Sequence, residues 1–260
     1  MIPDRCKLLL KRMIFTMVDY KLYEVGGHVR DSILGIKSAD IDYTVVMTNP
    51  EKFSTALEAF ETFEKDIEER GFKVFVSKPE VFTIRSKFPN SNEIADFVLA
   101  RKESGFQDGT RLPQDVELGS LEDDLRRRDF TVNAMAFDSD GVLVDPFGGE
   151  KDLAAGILRT PVSPDVSFND DPLRILRGLR FSVTKGFKLS SEVWDAIATF
   201  DTDRFATVSK ERVMEELKKM FMTDTVGSLM ITHRLKTENH ALWSLIFKGT
   251  GIRLEPTLKQ

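Results

Sequence analysis

The sequence predicts an α+β fold, with strands in the first 150 residues and helices in the remainder. Three observations carry this. Short β-branched and aromatic runs such as Lys21–Val25 and Ile94–Ala100 recur only before residue 150. Beyond it, apolar residues recur at three- and four-residue spacing and no strand signal remains. Glycines and prolines cluster at residues 148–165, which predicts a boundary there: 1–150 as one domain and 151–260 as a second.

Composition bounds the class. The 260 residues are 41% hydrophobic and 30% charged, an ordinary globular balance with enough chain for a sizeable core. Cys6 is the only cysteine, so no internal disulfide can form, which fits a reducing, cytoplasmic setting. No apolar run reaches the ~18–20 residues of a membrane span. The basic and apolar residues of RCKLLLKRMIFTMV interleave, which favours an amphipathic first helix over a signal peptide. The net charge of −5 makes no global case for nucleic acid. Residues 209–260 nevertheless hold nine Lys and Arg against six Asp and Glu, a weakly basic segment behind an acidic one.

Taken in order, residues 5–20 read as a helix with Leu8, Leu9, Ile14 and Met17 apolar. Lys21–Val25 is a strand, and a helix around Asp31–Leu34 ends at Gly35. Asp40–Met47 is a second strand, and Pro50–Arg70 a helix through Phe53, Leu57, Phe60, Phe63 and Ile67, ending at Gly71. Strands follow at Phe72–Val76, Val81–Arg85 and Ile94–Ala100. Gly105, Gly109, Pro113 and Gly119 among many charges predict a long flexible loop over Arg101–Asp123. Leu125–Ala136 reads as a helix and Val142–Val144 as a last strand. Helices are expected at Pro172–Phe181, Ser190–Phe200 and Ser209–Met222, with one or two more after Thr225.

The first chemical candidate is the stretch Tyr23–Val46. Alternating strand side chains put Asp40 and Asp42 on one face, where two close carboxylates suit a hard cation such as Mg²⁺. Such a pair more often caps or solvates a loop, but here it sits in an apolar strand downstream of Gly26-Gly27. Glycines closing a strand and opening a helix let backbone amides approach a phosphate. A phosphate cradle beside a metal-binding pair is equipment for phosphoryl or nucleotidyl transfer. Asp96 is the candidate third carboxylate, with a strand-edge charge as the plainer reading.

Two further stretches concern the nucleotide. RRRDFTVNAMA can be a solvated basic patch, yet Arg128, Asp129 and Asn133 combine a donor fork, an acceptor and an amide that suit a ribose and its phosphates. In DDPLRILRGLRF, Asp171, Arg174, Arg177 and Arg180 recur every third residue beside an inward stripe of Leu173, Leu176 and Leu179. An exposed ion pair would explain one arginine; three against one acid suggest an anionic ligand. A carboxylate beside a donor fork also accepts the amino edges of cytosine and adenine and refuses the carbonyls of uracil and guanine.

GGHVRDSILGIKSADID, DLRRRDFTVNAMAFD, DPFGG and FNDDPLRILRGLRF, in this order, resemble the class II tRNA nucleotidyltransferases, or CCA-adding enzymes, and the bacterial poly(A) polymerases. The resemblance covers roughly residues 20–222 and implies a nucleotidyltransferase head with a small mixed sheet, followed by an α-helical neck. It implies Mg²⁺-dependent transfer of CMP and AMP from CTP and ATP to a tRNA 3′ end. Gly27 and Arg30 would hold the triphosphate, Asp40 and Asp42 the metal, and Arg128 with Asp129 the ribose. Asp171 and Arg174 would read the base, and Arg177 and Arg180 would touch base or phosphate. VSKERVMEELKKMF resembles the last neck motif.

Two departures stand out. The base-reading motif opens Asp170-Asp171 where the family has Glu-Asp, and the stretch after residue 222 is short beside the family's body and tail domains, so a truncated body-like tail is expected. ARKESGFQDGTRLP resembles the CCA-adding loop more than the Arg-rich segment of the poly(A) polymerases, and full CCA addition is favoured. The alternatives are a poly(A) polymerase, an A-adding-only enzyme and a catalytically idle RNA-binding module. The sequence leaves the oligomeric state open.

Overall fold

The computed structural model describes residues 20–37, 41–106 and 113–250. The chain divides into two compact units, Met1–Glu150 and Lys151–Gln260. Of the helix expected over residues 5–20, all but Tyr20, which is in a strand, lies outside the described residues, as does Asp40.

In the first unit β1 (Tyr20–Val25), α1 (Gly27–Ile33) and β2 (Ile41–Met47) are followed by α2 (Ala56–Glu69). Then come β3 (Lys73–Lys78), β4 (Thr83–Lys87) and β5 (Ile94–Leu99). With β8 (Ala136–Phe137) and β9 (Leu143–Val144) they form a seven-stranded sheet in the order β3-β4-β5-β2-β1-β8-β9. Only β2 and β5 pair in parallel; the other pairs are antiparallel. The mixed α+β head expected from the sequence is therefore present.

Strand alternation decides which face carries chemistry. Ile41, Tyr43, Val45 and Met47 of β2 are buried together, with Phe97, Leu99 and Ile84 of the neighbouring strands. The spacing of Ala56, Ala59, Phe60, Phe63 and Ile67 gives α2 one apolar face, which joins that core. Phe63 meets Tyr20 edge-on at 4.9 Å and Phe97 at 5.4 Å between ring centroids. Asp42 and Thr44, one residue out of phase, point to the other face.

Several boundaries differ from expectation. The helix expected from Pro50 begins at Ala56, because Pro50–Lys52 is a 3₁₀ turn and the Thr55 side chain caps the first turn, accepting from the Glu58 amide at 3.1 Å. Leu57, assigned to its apolar face, is 44% exposed. The loop expected over Arg101–Asp123 instead holds the hairpin β6 (Arg101–Phe106) and β7 (Pro113–Leu118), and then α3 (Leu121–Arg126). Ser120 starts α3 with a reciprocal capping box to Asp123. The helix expected over Leu125–Ala136 stops at Arg126; a 3₁₀ turn at Thr131–Asn133 and strand β8 take its place. That apolar stretch is buried on all sides, so it carried no period that separates strand from helix.

In the second unit α4 (Gly149–Ala155) leads from the division into α5 (Pro164–Asp170), α6 (Leu173–Thr184), α7 (Ser191–Ala198) and α8 (Thr202–Phe205). Next comes α9 (Lys210–Thr223), and then α10 (Thr225–Glu238) and α11 (His240–Thr250), where one or two helices were expected. No strand was expected here, yet β10 (Ile157–Leu158) and β11 (Lys188–Leu189) form a parallel two-residue pair. Runs that short leave no period to read. Leu173, Leu176 and Leu179 are buried as the stripe predicted. Among the described residues no helix is long and apolar enough to cross a membrane.

Candidate active site

The first unit gathers its candidates around the turn between β1 and α1. Gly26 has φ 75° and ψ −140°, a conformation open only to glycine. A Cβ placed there would stand 2.9 Å from Arg128 Nη1 and 3.5 Å from Asp42 Oδ2. One small volume therefore touches the turn, an arginine and the exposed strand carboxylate. A Cβ on Gly27 would meet the Arg30 guanidinium, with Nη2 at 3.5 Å.

Beside this turn Arg128 is paired with Asp124, a residue not among the sequence candidates. Asp124 on α3 is 3% exposed and accepts from Arg128 Nη2 at 2.9 Å and from Thr44 Oγ1 at 2.8 Å. Burial alone would raise its carboxyl; the charges of Arg128 and Arg127 and the two hydrogen bonds outweigh that and hold it below the usual carboxylate range. The spacing of Asp124 and Arg128 on one helical turn was the available signal.

Arg30 is held from the other side. It is 5% exposed, and its Nη1 donates to Asn133 Oδ1 at 2.5 Å while Nε donates to Asp31 at 2.9 Å. Asn133 Nδ2 in turn donates to Asp129 Oδ1 at 2.9 Å, and that oxygen also accepts from the Phe130 amide at 2.8 Å. Arg30, Asn133 and Asp129 thus form one buried relay, in which Asn133 spends both ends of its amide on neighbours. Gly149 of the DPFGG motif packs against the Thr131–Asn133 turn that carries Asn133: a Cβ there would overlap the Thr131 carbonyl oxygen. Asp145 accepts from the Gly149 and Glu150 amides at 2.7 and 3.0 Å, which anchors the motif.

Asp96 lies beside Asp42 in the parallel β2–β5 register, on the same face. Arg85, its partner across β4–β5, grips both carboxylate oxygens at 2.7 and 2.8 Å. Among the described residues no group of three or more acidic, histidine or cysteine side chains forms a metal cluster; Asp40 falls outside them.

In the second unit the stripe is organised differently from expectation. Asp171 precedes α6 with extended backbone, caps it by accepting from the Leu173 amide at 3.1 Å, and takes Arg212 at 3.4 Å. Arg174 Nη1 donates to Ser167, to the hydroxyl at 2.8 Å and the carbonyl at 3.2 Å. Three arginines against one acid is corrected by Glu216, which α9 supplies. It is 5% exposed, binds Arg180 Nε at 2.5 Å and stands 3.9 Å from Arg177. A partner 36 residues downstream of Arg180 left no mark in the local spacing.

Residues 22–159 match the family model described as "Poly A polymerase head domain", and residues 186–231 match "Probable RNA and SrmB- binding site of polymerase A". The chain belongs to the poly(A) polymerase head-domain family. A multifunctional CCA protein of Neisseria gonorrhoeae (strain NCCP11945) is 38% identical over 205 residues, 77% of this chain and 44% of that protein. A CCA-adding enzyme of Staphylococcus epidermidis is 35% identical over 254 residues, 97% of this chain and 58% of that protein. The chain spans about half the length of the curated relatives it matches. Among solved structures, the Bacillus stearothermophilus CCA-adding enzyme in complex with CTP superposes with a TM-score of 0.71 at 25% identity, over 97% of this chain and 59% of that one. A tRNA nucleotidyltransferase complexed with a primer tRNA and an incoming ATP analogue gives 0.67 at 30% identity, over 94% and 63%. The expected family and head fold are both borne out.

Proposed function

We propose that this family member adds CCA to the 3′ ends of tRNA in the cytoplasm, using CTP and ATP without a template. The tRNA 3′-hydroxyl oxygen attacks the α-phosphorus of the nucleotide, a new P–O bond forms, and the bond to pyrophosphate breaks. The observation that carries this reading is the meeting of Gly26, Arg128 and Asp42 in one small volume. Its support from relatives is that CTP, an ATP analogue and tRNA are bound by proteins of the same fold.

Each residue has a part. Gly26 lets phosphate oxygens approach the backbone where a side chain would stand in the way, and Arg128 brings positive charge to that point. Gly27 continues the cradle, and the relay through Asn133 and Asp129 fixes Arg30 for the triphosphate and leaves Asp129 near the ribose. Asp42 is an exposed hard-oxygen donor beside a cradle that a Cβ would fill, which fits Mg²⁺; Asp40 and Asp42 would hold it, with Asp96 as a third carboxylate. When bound, Mg²⁺ lowers the pKa of the attacking hydroxyl and offsets charge on the leaving pyrophosphate. In the second unit Asp171 accepts the amino group of cytosine or adenine and Arg174 donates to the neighbouring ring acceptors, while Arg177 and Arg180, which share the single acid Glu216, would bring at most one net positive charge to the nucleotide.

The test is incubation with a tRNA lacking CCA and labelled CTP and ATP, singly and together, with product length read on a gel. CTP alone should add the two cytidines, and both nucleotides together should complete CCA and stop. Long A-tails would replace the proposal with a poly(A) polymerase, and adenosine added only to tRNA ending in CC with an A-adding enzyme. RNA binding without incorporation would leave an idle binding module.

A further inference from the structure

Asp124 and Thr44 make no contact with a nucleotide in the reaction as described, yet they form the most enclosed polar cluster behind the Gly26 turn. Asp124 is 3% exposed and Thr44 is fully buried. A carboxylate in such a place is costly to desolvate, and pairs of this kind are often replaced by apolar side chains without loss of stability. Fold stability is therefore a weak reason for an acid here. Its geometric consequence is specific. Arg128 Nη2 donates to Asp124 at 2.9 Å and to the Thr44 hydroxyl at 3.4 Å, and the guanidinium tethered in this way carries Nη1 to the space above Gly26 beside Asp42. Thr44, two residues after Asp42 on the same strand face, donates to Asp124 at 2.8 Å and so fixes the acid to the strand that carries the metal candidate. Arg127, 3.9 Å from the other oxygen, brings a second cation to the same carboxylate.

We propose that Asp124, braced by Thr44, is a positioning residue that acts through Arg128, holding its guanidinium ready at the Gly26 turn for the phosphates of an incoming nucleotide. This rests on the nucleotide-transfer reading and adds residues that do not themselves touch substrate. An arginine already fixed loses less side-chain freedom when the nucleotide binds, and the advantage appears as affinity.

The experiment compares wild type, Asp124→Asn, Thr44→Val, Arg128→Ala and the Asp124→Asn/Arg128→Ala double variant. CTP binding is measured by titration calorimetry, KM and kcat by incorporation into tRNA, and folding by circular dichroism. Asp124→Asn should weaken CTP binding roughly tenfold or more, as the loss of a charge-assisted hydrogen bond does. Thr44→Val should move affinity the same way by less, with the fold retained, which keeps the test decisive should Asp124→Asn fail to fold. The double variant should bind no worse than Arg128→Ala alone, because both changes remove one interaction. Effects that add in the double variant, or a folded Asp124→Asn or Thr44→Val protein with wild-type affinity, would overturn the assignment. Wild-type protein that binds CTP but incorporates nothing would sink the transfer reading while the binding cycle still judges Asp124. Wild-type protein that binds no CTP would overturn the positioning role itself.

Discussion

Gly26 is the residue on which the head site turns, since its conformation is closed to other residues and its missing side chain leaves space beside Arg128 and Asp42. Gly26→Ala should cost about 1–3 kcal/mol from backbone strain. Because the new methyl stands 2.9 Å from an arginine fixed by Asp124, nucleotide incorporation should fall further than stability does, which denaturation and incorporation measured on one preparation will show. Asp124 carries a pH signature. Its carboxyl is held below the ordinary value of about 3.9, so it contributes stability in full above that pH and loses the contribution as pH falls through the lower folded value. Acid unfolding of Asp124→Asn should therefore be less steep than that of wild type below about pH 4. At this scale the sequence was readable where chemistry is local: Gly26, Arg30, Asp42 and Arg128 all border the same turn or its relay. It was silent on Thr44, whose hydroxyl meets an acid 80 residues away, on α3.

At the scale of elements, register converts sequence into geometry. Asp96 is adjacent to Asp42 because β2 and β5 run parallel, and neither strand alone encodes that pairing. If Asp96 serves transfer, Asp96→Asn should abolish incorporation while Arg85→Ala, which removes only its grip, leaves it within a few-fold of wild type. Equal modest effects from both would reduce the pair to a cross-strand tie. In α6 the apolar stripe was legible from its spacing, and Leu179→Ala should cost about 2–5 kcal/mol in denaturant unfolding. The charged stripe was half legible: the arginines stand as expected, but Glu216 arrives from α9 and absorbs the apparent surplus. Glu216→Ala leaves Arg180 without that partner and should cost about 3 kcal/mol. The hairpin β6–β7 was read as a loop because glycines and charges mask its alternation, and its ladder joins residues up to 17 apart.

Over the whole molecule, the order of strands before helices predicted the α+β class correctly, because periodicity summed over many residues outlasts local errors. Base selection is assigned to Asp171 and Arg174 in one unit and transfer to Asp40 and Asp42 in the other, so changes in each should be separable. Arg174→Ala should relax the choice among the four nucleotides more than it slows transfer, which competition between labelled nucleotides will read. The carboxylate pair is the centre of the proposal, and the direct measurement is incorporation of labelled CMP and AMP into tRNA by Asp42→Ala beside wild type, with circular dichroism melting on both. Since Asp42 is exposed and outside the apolar core, the expected result is incorporation at background with an unchanged melting temperature. Incorporation at the wild-type rate by the folded variant would contradict the assignment.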